Sequence, residues 1–360
     1  MKIIQMITRM DVLGGAQTHL MNLSRMLAKD GHEVFIMHGG KLHEAYRIQH
    51  PYITFITVVH LVHPLHPIED VKAIREVRQR FRLLRPDIVA LHSSKAGTIG
   101  RIAAKSMHVP SVFTAHGWSF TEGIPWKKQQ LYRLIEQGLA KRTDAIITVS
   151  NYDANLARKA HILPKHGLHV VHNGILSTEK PSAVRKKNIV MVARFQLPKR
   201  QDLLLQAFAL LEDKATTLTF VGDGPTKKEV EKLADTLGVK ERVLFAGNQQ
   251  SVTTYLEEAS IFVLMSNFEG LPISIIEAMA AGLPIIASDV GGVRELVTAN
   301  ENGFLVDNAL SELQVYLTKL LADESLRYTM GEKSRVLFEQ AFQFEATYEK
   351  TMKIYEQVRC

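Results

Sequence analysis

The sequence predicts an α/β protein of two doubly wound, parallel-sheet domains facing one another across a cleft. Three observations carry that expectation. The chain has 360 residues, too many for one ordinary core and suited to two. Strand-like apolar runs alternate with helical periodicity from one end to the other, the signature of βαβ units. A polar stretch holding Pro181, residues 177–187, separates two such series and reads as a linker.

In the first series the strands are expected at 2–8, 33–38, 53–60, 87–92, 111–115, 145–149 and 168–172, with helices in the gaps. The second series is expected at 188–193, 218–221, 243–246, 261–265, 284–287 and 304–306. Residues 326–358 read as helix only, and the end of that stretch is expected to pack back on the first domain. The domains are therefore drawn as 1–172, with a last helix at about 343–360, and 173–342.

Composition narrows the class. A hydrophobic share of 46% against 22% charged residues excludes a disordered or low-complexity chain. The single cysteine, Cys360, leaves no intrachain disulfide and no cysteine-built zinc site, which fits a reducing cytoplasm. The amino terminus lacks a signal peptide's apolar core, and about twenty uninterrupted apolar residues occur nowhere, so neither export nor a membrane span is expected. Residues 1–170 carry a net charge of +11 and the remainder −4. Fourteen of the fifteen histidines also lie in the first half, so acidification is expected to widen the asymmetry. A half this basic attracts polyanions: nucleic acid, phosphorylated substrates or anionic lipid.

Chemistry is sought at strand ends, where open parallel sheets bind ligands. After the strand 261–265, Glu269 lies in a loop, Pro272 is placed to open a short helix carrying Glu277, and Gly282 to end it. The amides near Gly270 to Ile273 then form a positive helix end suited to phosphate. Two carboxylates beside an anion site fit acceptors for hydroxyls flanking a diphosphate, as in a nucleotide sugar. From spacing alone, Glu269 as a cap and Glu277 as a solvated helix residue fit equally. Arg194 at the end of the strand 188–193 and Lys199 in the following loop make a clamp for a diphosphate leaving group, although such cations taken singly are commonly surface charges.

In the first half, Gly14 and Gly15 follow the first strand and open a helix to about Lys29, permitting close backbone approach. They do not form G-x-G-x-x-G, which disfavours a nicotinamide dehydrogenase. His116 and Gly117 end the fifth strand, and His92 with Lys95 follows the fourth. His116 is placed to meet a sugar hydroxyl and Lys95 an acceptor phosphate, though most histidines in so histidine-rich a half are structural. The helix 71–85 sets Lys72, Arg75, Arg78, Arg80, Arg82 and Arg85 around a stripe of Val71, Ile74, Val77, Phe81 and Leu84. Lys127, Lys128, Arg133, Lys141 and Arg142 form a second basic cluster. Both read either as solvated faces or as a surface for anionic lipid. Metal is not indicated: there is no Asp-x-Asp, no cysteine pair, and no helical histidine pair with a carboxylate.

The stretch from Glu269 to Val297, with its Glu-x7-Glu spacing, resembles the hallmark of retaining glycosyltransferase family 4. Gly14-Gly15-Ala16, His116-Gly117, Val171-His172-Asn173-Gly174, Arg194 with Lys199, and Val221-Gly222-Asp223-Gly224 fall in that family's order. The resemblance implies the GT-B architecture of two Rossmann-like domains, with a nucleotide sugar, UDP-linked by expectation, on the second and the acceptor on the first. It implies Arg194 and Lys199 on the donor diphosphate, Glu277 on the ribose, and Glu269 with the Gly270 and Leu271 amides on the transferred sugar. Gly14, Gly15, Asn248 and Pro272 complete the donor contacts, and His116 meets the sugar's outer hydroxyl. The implied catalytic set is Glu269, His116, Arg194 and Lys199, with His92, Lys95 and His116 toward the acceptor. No metal is required, because phosphate charge falls to Arg, Lys and amides. Ala193 and Arg200 depart from the family's glycine and glycine-or-asparagine at those places.

The runs around His92 and His116 resemble members that build bacterial capsule, exopolysaccharide or lipid-linked oligosaccharide. The expectation is a cytoplasmic hexosyl- or N-acetylhexosaminyl-type transferase, held peripherally at the inner membrane face through its basic half. Its acceptor is a glycan or lipid-linked molecule, with no nucleic-acid partner, since 7% aromatic residues supply no stacking platform. Two alternatives stay open at this point: a nucleotide-sugar epimerase of the same fold, and a non-catalytic sugar- or nucleotide-binding protein.

Overall fold

The computed structural model describes residues 1–11, 14–63, 66–121, 123–176 and 185–359. The first eight residues of the expected linker, 177–184, lie outside the described residues. The chain divides into two compact units, Met1–Asn173 with Phe344–Cys360, and Gly174–Gln343.

The first unit opens with strand β1 (Lys2–Met10), whose nearly unbroken apolar run suits a strand covered on both faces. It continues through α1 (Gly15–Lys29), β2 (Glu33–Leu42), α2 (Glu44–Gln49), β3 (Thr54–Thr57), α3 (Pro67–Leu84) and β4 (Ile88–His92). Then come α4 (Ser94–Met107), β5 (Ser111–Ala115), α5 (Trp126–Ala140), β6 (Ala145–Thr148), α6 (Asn151–Lys159) and β7 (Leu168–Val170). The seven strands are parallel in the order β3-β2-β1-β4-β5-β6-β7. Direction of travel across the sheet therefore reverses between β1 and β4, the switch point beside which doubly wound sheets bind ligands.

The second unit repeats the plan with β8 (Asn188–Val192), α7 (Gln201–Ala209), β9 (Thr217–Val221), α8 (Lys227–Thr236), β10 (Val243–Gly247), α9 (Thr253–Glu258) and β11 (Ile261–Leu264). It closes with α10 (Ile273–Ala280), β12 (Ile285–Ser288), β13 (Gly303–Val306), α11 (Leu310–Ala322) and α12 (Glu324–Ala341). Six parallel strands run β10-β9-β8-β11-β12-β13, and the switch falls between β8 and β11. Phe208, Phe220, Phe262 and Phe304 are fully buried in this unit.

Every expected strand is present, with ends moved by a few residues. The helical stretch 326–358 is divided between two helices: α12 stops at Ala341, and α13 (Phe344–Arg359), where a last helix was expected at about 343–360, belongs to the first unit. There Tyr348 Oη donates to Asp30 at 2.5 Å and Thr347 Oγ1 to the His172 carbonyl at 2.9 Å. Pro272 is the N-cap of α10 instead of its first residue. On α3 the core contacts come from Ala73, Val77 and Phe81, whereas Val71, expected in the apolar stripe, is exposed. Among the described residues no helix is long and apolar enough to cross a membrane.

Candidate active site

In the second unit the loops after β8 and β11 meet at the switch point. The first loop carries Arg194 and Lys199 and rests on the turn after β9. Gly222 and Gly224 have φ of +137° and +154°, and a Cβ there would lie 2.2 Å from the Ala193 carbonyl and 2.4 Å from the Phe195 carbonyl. Only glycine permits that approach. Ala193 N donates to Val221 O at 3.0 Å and Phe195 N to Asp223 O at 2.9 Å. The Val221-Gly222-Asp223-Gly224 motif is thus a backbone cradle under Arg194, which stays exposed.

The far end of this loop joins the end of β11. Arg200 N donates to Met265 O and Asn267 N to Pro198 O, both at 2.9 Å. The Lys199 ammonium comes to rest on the Glu269 carboxylate, with 17% and 11% of the two side chains exposed. Arg200 forks onto Asp202 through Nε and Nη2, each at 2.9 Å, so this cation is turned onto its neighbour two residues on.

Three residues absent from the sequence-based set hold the Glu269 loop. Ser266 N donates to Ser288 Oγ at 2.8 Å, Ser288 Oγ donates to Asn308 Oδ1 at 2.5 Å, and Asn308 Nδ2 returns to Ser266 O at 3.0 Å. The ring of contacts ties β11, β12 and the turn after β13 together. Gly291, with φ +57°, passes so close that a Cβ would sit 1.8 Å from Glu269 O, and Gly292 N donates to Gly270 O at 3.0 Å. The partners lie 20 or more residues apart, and no local motif announces them.

Pro272 offers α10 no capping side chain; Ile275 N donates to Pro272 O at 3.2 Å, and the Ile273 and Ser274 amides ahead of it face the end of the helix, where an anion can accept from them. Gly282, with φ +67°, follows the last turn as expected. Glu277 rides α10 half-buried, and burial pushes its carboxyl up to about 7. Asn248 lies exposed just after β10. The second unit therefore brings Lys199 and Glu269 into contact, sets Arg194 on the same loop as Lys199, and places Glu277 on the helix that the Glu269 loop enters.

In the first unit Gly14 is extended at the mouth of α1, and Gln17 Nε2 donates to Arg9 O at 2.9 Å. Across the switch point, Thr8 Oγ1 lies 2.7 Å from Ser93 Oγ and accepts from Ala96 N at 3.1 Å, capping α4. Two expectations are corrected here. The Lys95 ammonium is held by Asp70 of α3 and is only 9% exposed, so it is not a free cation awaiting a phosphate. His92 is fully buried beneath His116 and cannot itself reach an acceptor. Its Nε2 donates to Gln5 Oε1 at 2.7 Å, and its Nδ1 lies 3.0 Å from His116 Nε2. His19 completes the group, its ring 5.0 Å from that of His116. Burial lowers His19 to about 4 and His92 and His116 well below the usual imidazole range. His32, His38 and His50 are lowered for the same reason, so acidification charges this half less than fourteen histidines suggested.

The family model described as Glycosyltransferase Family 4 matches residues 13–177, and that for Glycosyl transferases group 1 matches 176–336. The chain belongs to the family 4 glycosyltransferases. It is 32% identical to the putative glycosyltransferase EpsD of Bacillus subtilis over 61% of this chain and 63% of that protein, a little under two thirds of the relative's length. It is 28% identical to N-acetyl-alpha-D-glucosaminyl L-malate synthase of Bacillus anthracis over 96% and 94%. With the UDP-Gal:alpha-D-GlcNAc-diphosphoundecaprenol alpha-1,3-galactosyltransferase of Escherichia coli it shares 27% identity over 75% of each chain. Among solved structures, Anabaena Alr3699/HepE in complex with UDP-glucose superposes with a TM-score of 0.85 at 20% identity over 99% of both chains. The fold expected of this glycosyltransferase, two Rossmann-like parallel-sheet domains of the GT-B type, is the one observed.

Proposed function

We propose that this glycosyltransferase takes a hexosyl or N-acetylhexosaminyl unit from a UDP-sugar and transfers it, with retention, to a glycan or lipid-linked acceptor in cell-surface polysaccharide assembly, capsule included. The observation that carries the reading is the Lys199–Glu269 contact at the switch point, on the loop that also carries Arg194 and three residues ahead of the uncapped end of α10. A diphosphate needs fixed positive charge and amides to accept the charge that develops as it leaves. Arg194, Lys199 and the α10 end supply both without a metal at the phosphates. Glu277 accepts from ribose hydroxyls, Glu269 from the transferred sugar, and Pro272 and Asn248 line the donor. In the first unit, Gly14 and Gly15 at the mouth of α1 allow close backbone approach of a ligand, and His116, the residue after β5, is a hydrogen-bonding group.

Glu269 is already engaged by Lys199, which suits a hydrogen-bond acceptor better than a free base. No protein base is then needed. The bond from C1 to the phosphate oxygen breaks, the acceptor oxygen bonds to C1 from the same face, and its proton passes to the departing phosphate. The UDP-Gal of the E. coli relative and the UDP-glucose of the Anabaena complex support the choice of UDP, and the former's diphosphoundecaprenol supports a lipid-linked acceptor.

Peripheral association with the inner membrane face is part of the proposal, with the first domain taking the acceptor. On α5, Trp126 is 68% and Leu134 64% exposed beside Lys127 and Lys128, the pattern of an interfacial helix. Incubation with a panel of UDP-sugars and lipid-linked acceptors tests the reading. Acceptor-dependent UDP release is expected; product from donor alone would mean an epimerase, and binding without turnover a non-catalytic protein.

A further inference from the structure

We propose that His19, His92 and His116 form a site for a zinc-class divalent transition-metal ion. The three come from α1, the last position of β4 and the residue after β5. Each offers one ring nitrogen, and these three nitrogens lie within 4.8 Å of one another. Tetrahedral coordination with metal–nitrogen bonds of ~2.0–2.1 Å sets ligating nitrogens ~3.4 Å apart. His92 Nδ1 accepts from His116 Nε2 at 3.0 Å, and with the outer bound of 4.8 Å this brackets that spacing; an entering ion replaces that hydrogen bond, the His116 proton moving to its Nδ1.

The surroundings match what such an ion requires. A ligating imidazole is generally held by a carbonyl or carboxylate on its other nitrogen. His92 meets this: its Nε2–H donates to Gln5 Oε1 at 2.7 Å, which leaves the Nδ1 lone pair facing the cluster. His19 carries a buried ring nitrogen, Nδ1, with no hydrogen-bond partner. Imidazoles without a carboxylate favour zinc, cobalt, nickel or copper over magnesium or calcium, which require oxygen ligands. His116, the one half-buried member, leaves one side of the cluster open for a fourth ligand or for entry of the ion.

The test uses the full, tag-free chain stripped of metal and dialysed against zinc chloride, with bound metal quantified, and cobalt as the spectroscopic probe. One equivalent of zinc and the visible bands of tetrahedral cobalt with nitrogen ligands are expected. His116→Gln, at the half-buried position, and His19→Gln should each lose the bound ion while keeping wild-type circular dichroism. Gln5→Leu should keep the stoichiometry and bind ~10–100-fold more weakly. Binding below one equivalent at every zinc concentration, or full binding retained in folded His116→Gln, overturns the site; unchanged affinity in Gln5→Leu overturns the supporting role of Gln5. None of these readouts depends on turnover.

Discussion

Lys199 and Glu269, seventy positions apart, meet as an ammonium on a carboxylate at the switch point of the second sheet. Both side chains are largely withdrawn from solvent, so each is the other's principal neutraliser. Removing one strands a charge that the fold keeps nearly buried. A double-mutant cycle with Lys199→Met and Glu269→Gln, followed by chemical denaturation, should give a coupling of ~0.5–3 kcal/mol. Turnover should fall ~10²–10³-fold in Lys199→Met, the scale of losing one charge-stabilising group in the transition state. Full activity in that variant would remove Lys199 from the diphosphate.

Glu277 supplies a pH dependence. Hydroxyl donors favour the ionised carboxylate, whereas burial holds this carboxyl near 7. Ribose binding must then expel a proton below that pH and need not above it. UDP affinity should rise between about pH 6 and 8, with proton uptake by buffer visible in calorimetry, and Glu277→Gln should flatten the rise. The same shift acts on folding with a fixed sign. Its raised native value contributes stability below the unfolded carboxyl range, and that contribution is lost as pH climbs through about 7.

Gly291 tests the backbone contact under Glu269. Alanine there combines φ +57° with a Cβ placed on the Glu269 carbonyl. Gly291→Ala should destabilise by more than about 1 kcal/mol in denaturant and weaken UDP binding in the folded fraction. Wild-type stability would show that the loop can move away freely.

The exposed face of α5 should dock on anionic membrane. Lys127→Glu with Lys128→Glu should weaken binding to phosphatidylglycerol vesicles by at least about tenfold, given ~1 kcal/mol per basic residue near a charged surface. Added salt should weaken the wild type likewise. Vesicle binding indifferent to both would place the contact elsewhere.

Much of this was legible in the residue pattern. Buried parallel strands such as 261–264 read as short apolar runs, and Gly282 marked the end of α10, because each signal is local. The strand 261–265, Pro272 and Gly282 likewise placed Glu269 in the loop and Glu277 on the helix it enters. What escaped depends on tertiary pairing. The Ser266–Ser288–Asn308 ring, the Asp70 partner of Lys95, and the clustering of His19, His92 and His116 join residues separated by 20 to nearly 100 positions. Neither periodicity nor spacing carries such pairings.

Calorimetric titration of UDP into the wild-type protein and into Arg194→Ala and Lys199→Ala shows whether these two cations hold the diphosphate. The account expects saturable binding by the wild type, with both folded variants weakened by at least about tenfold, the scale of one charge-assisted hydrogen bond. UDP bound equally by all three, or not bound by the wild type, would contradict it.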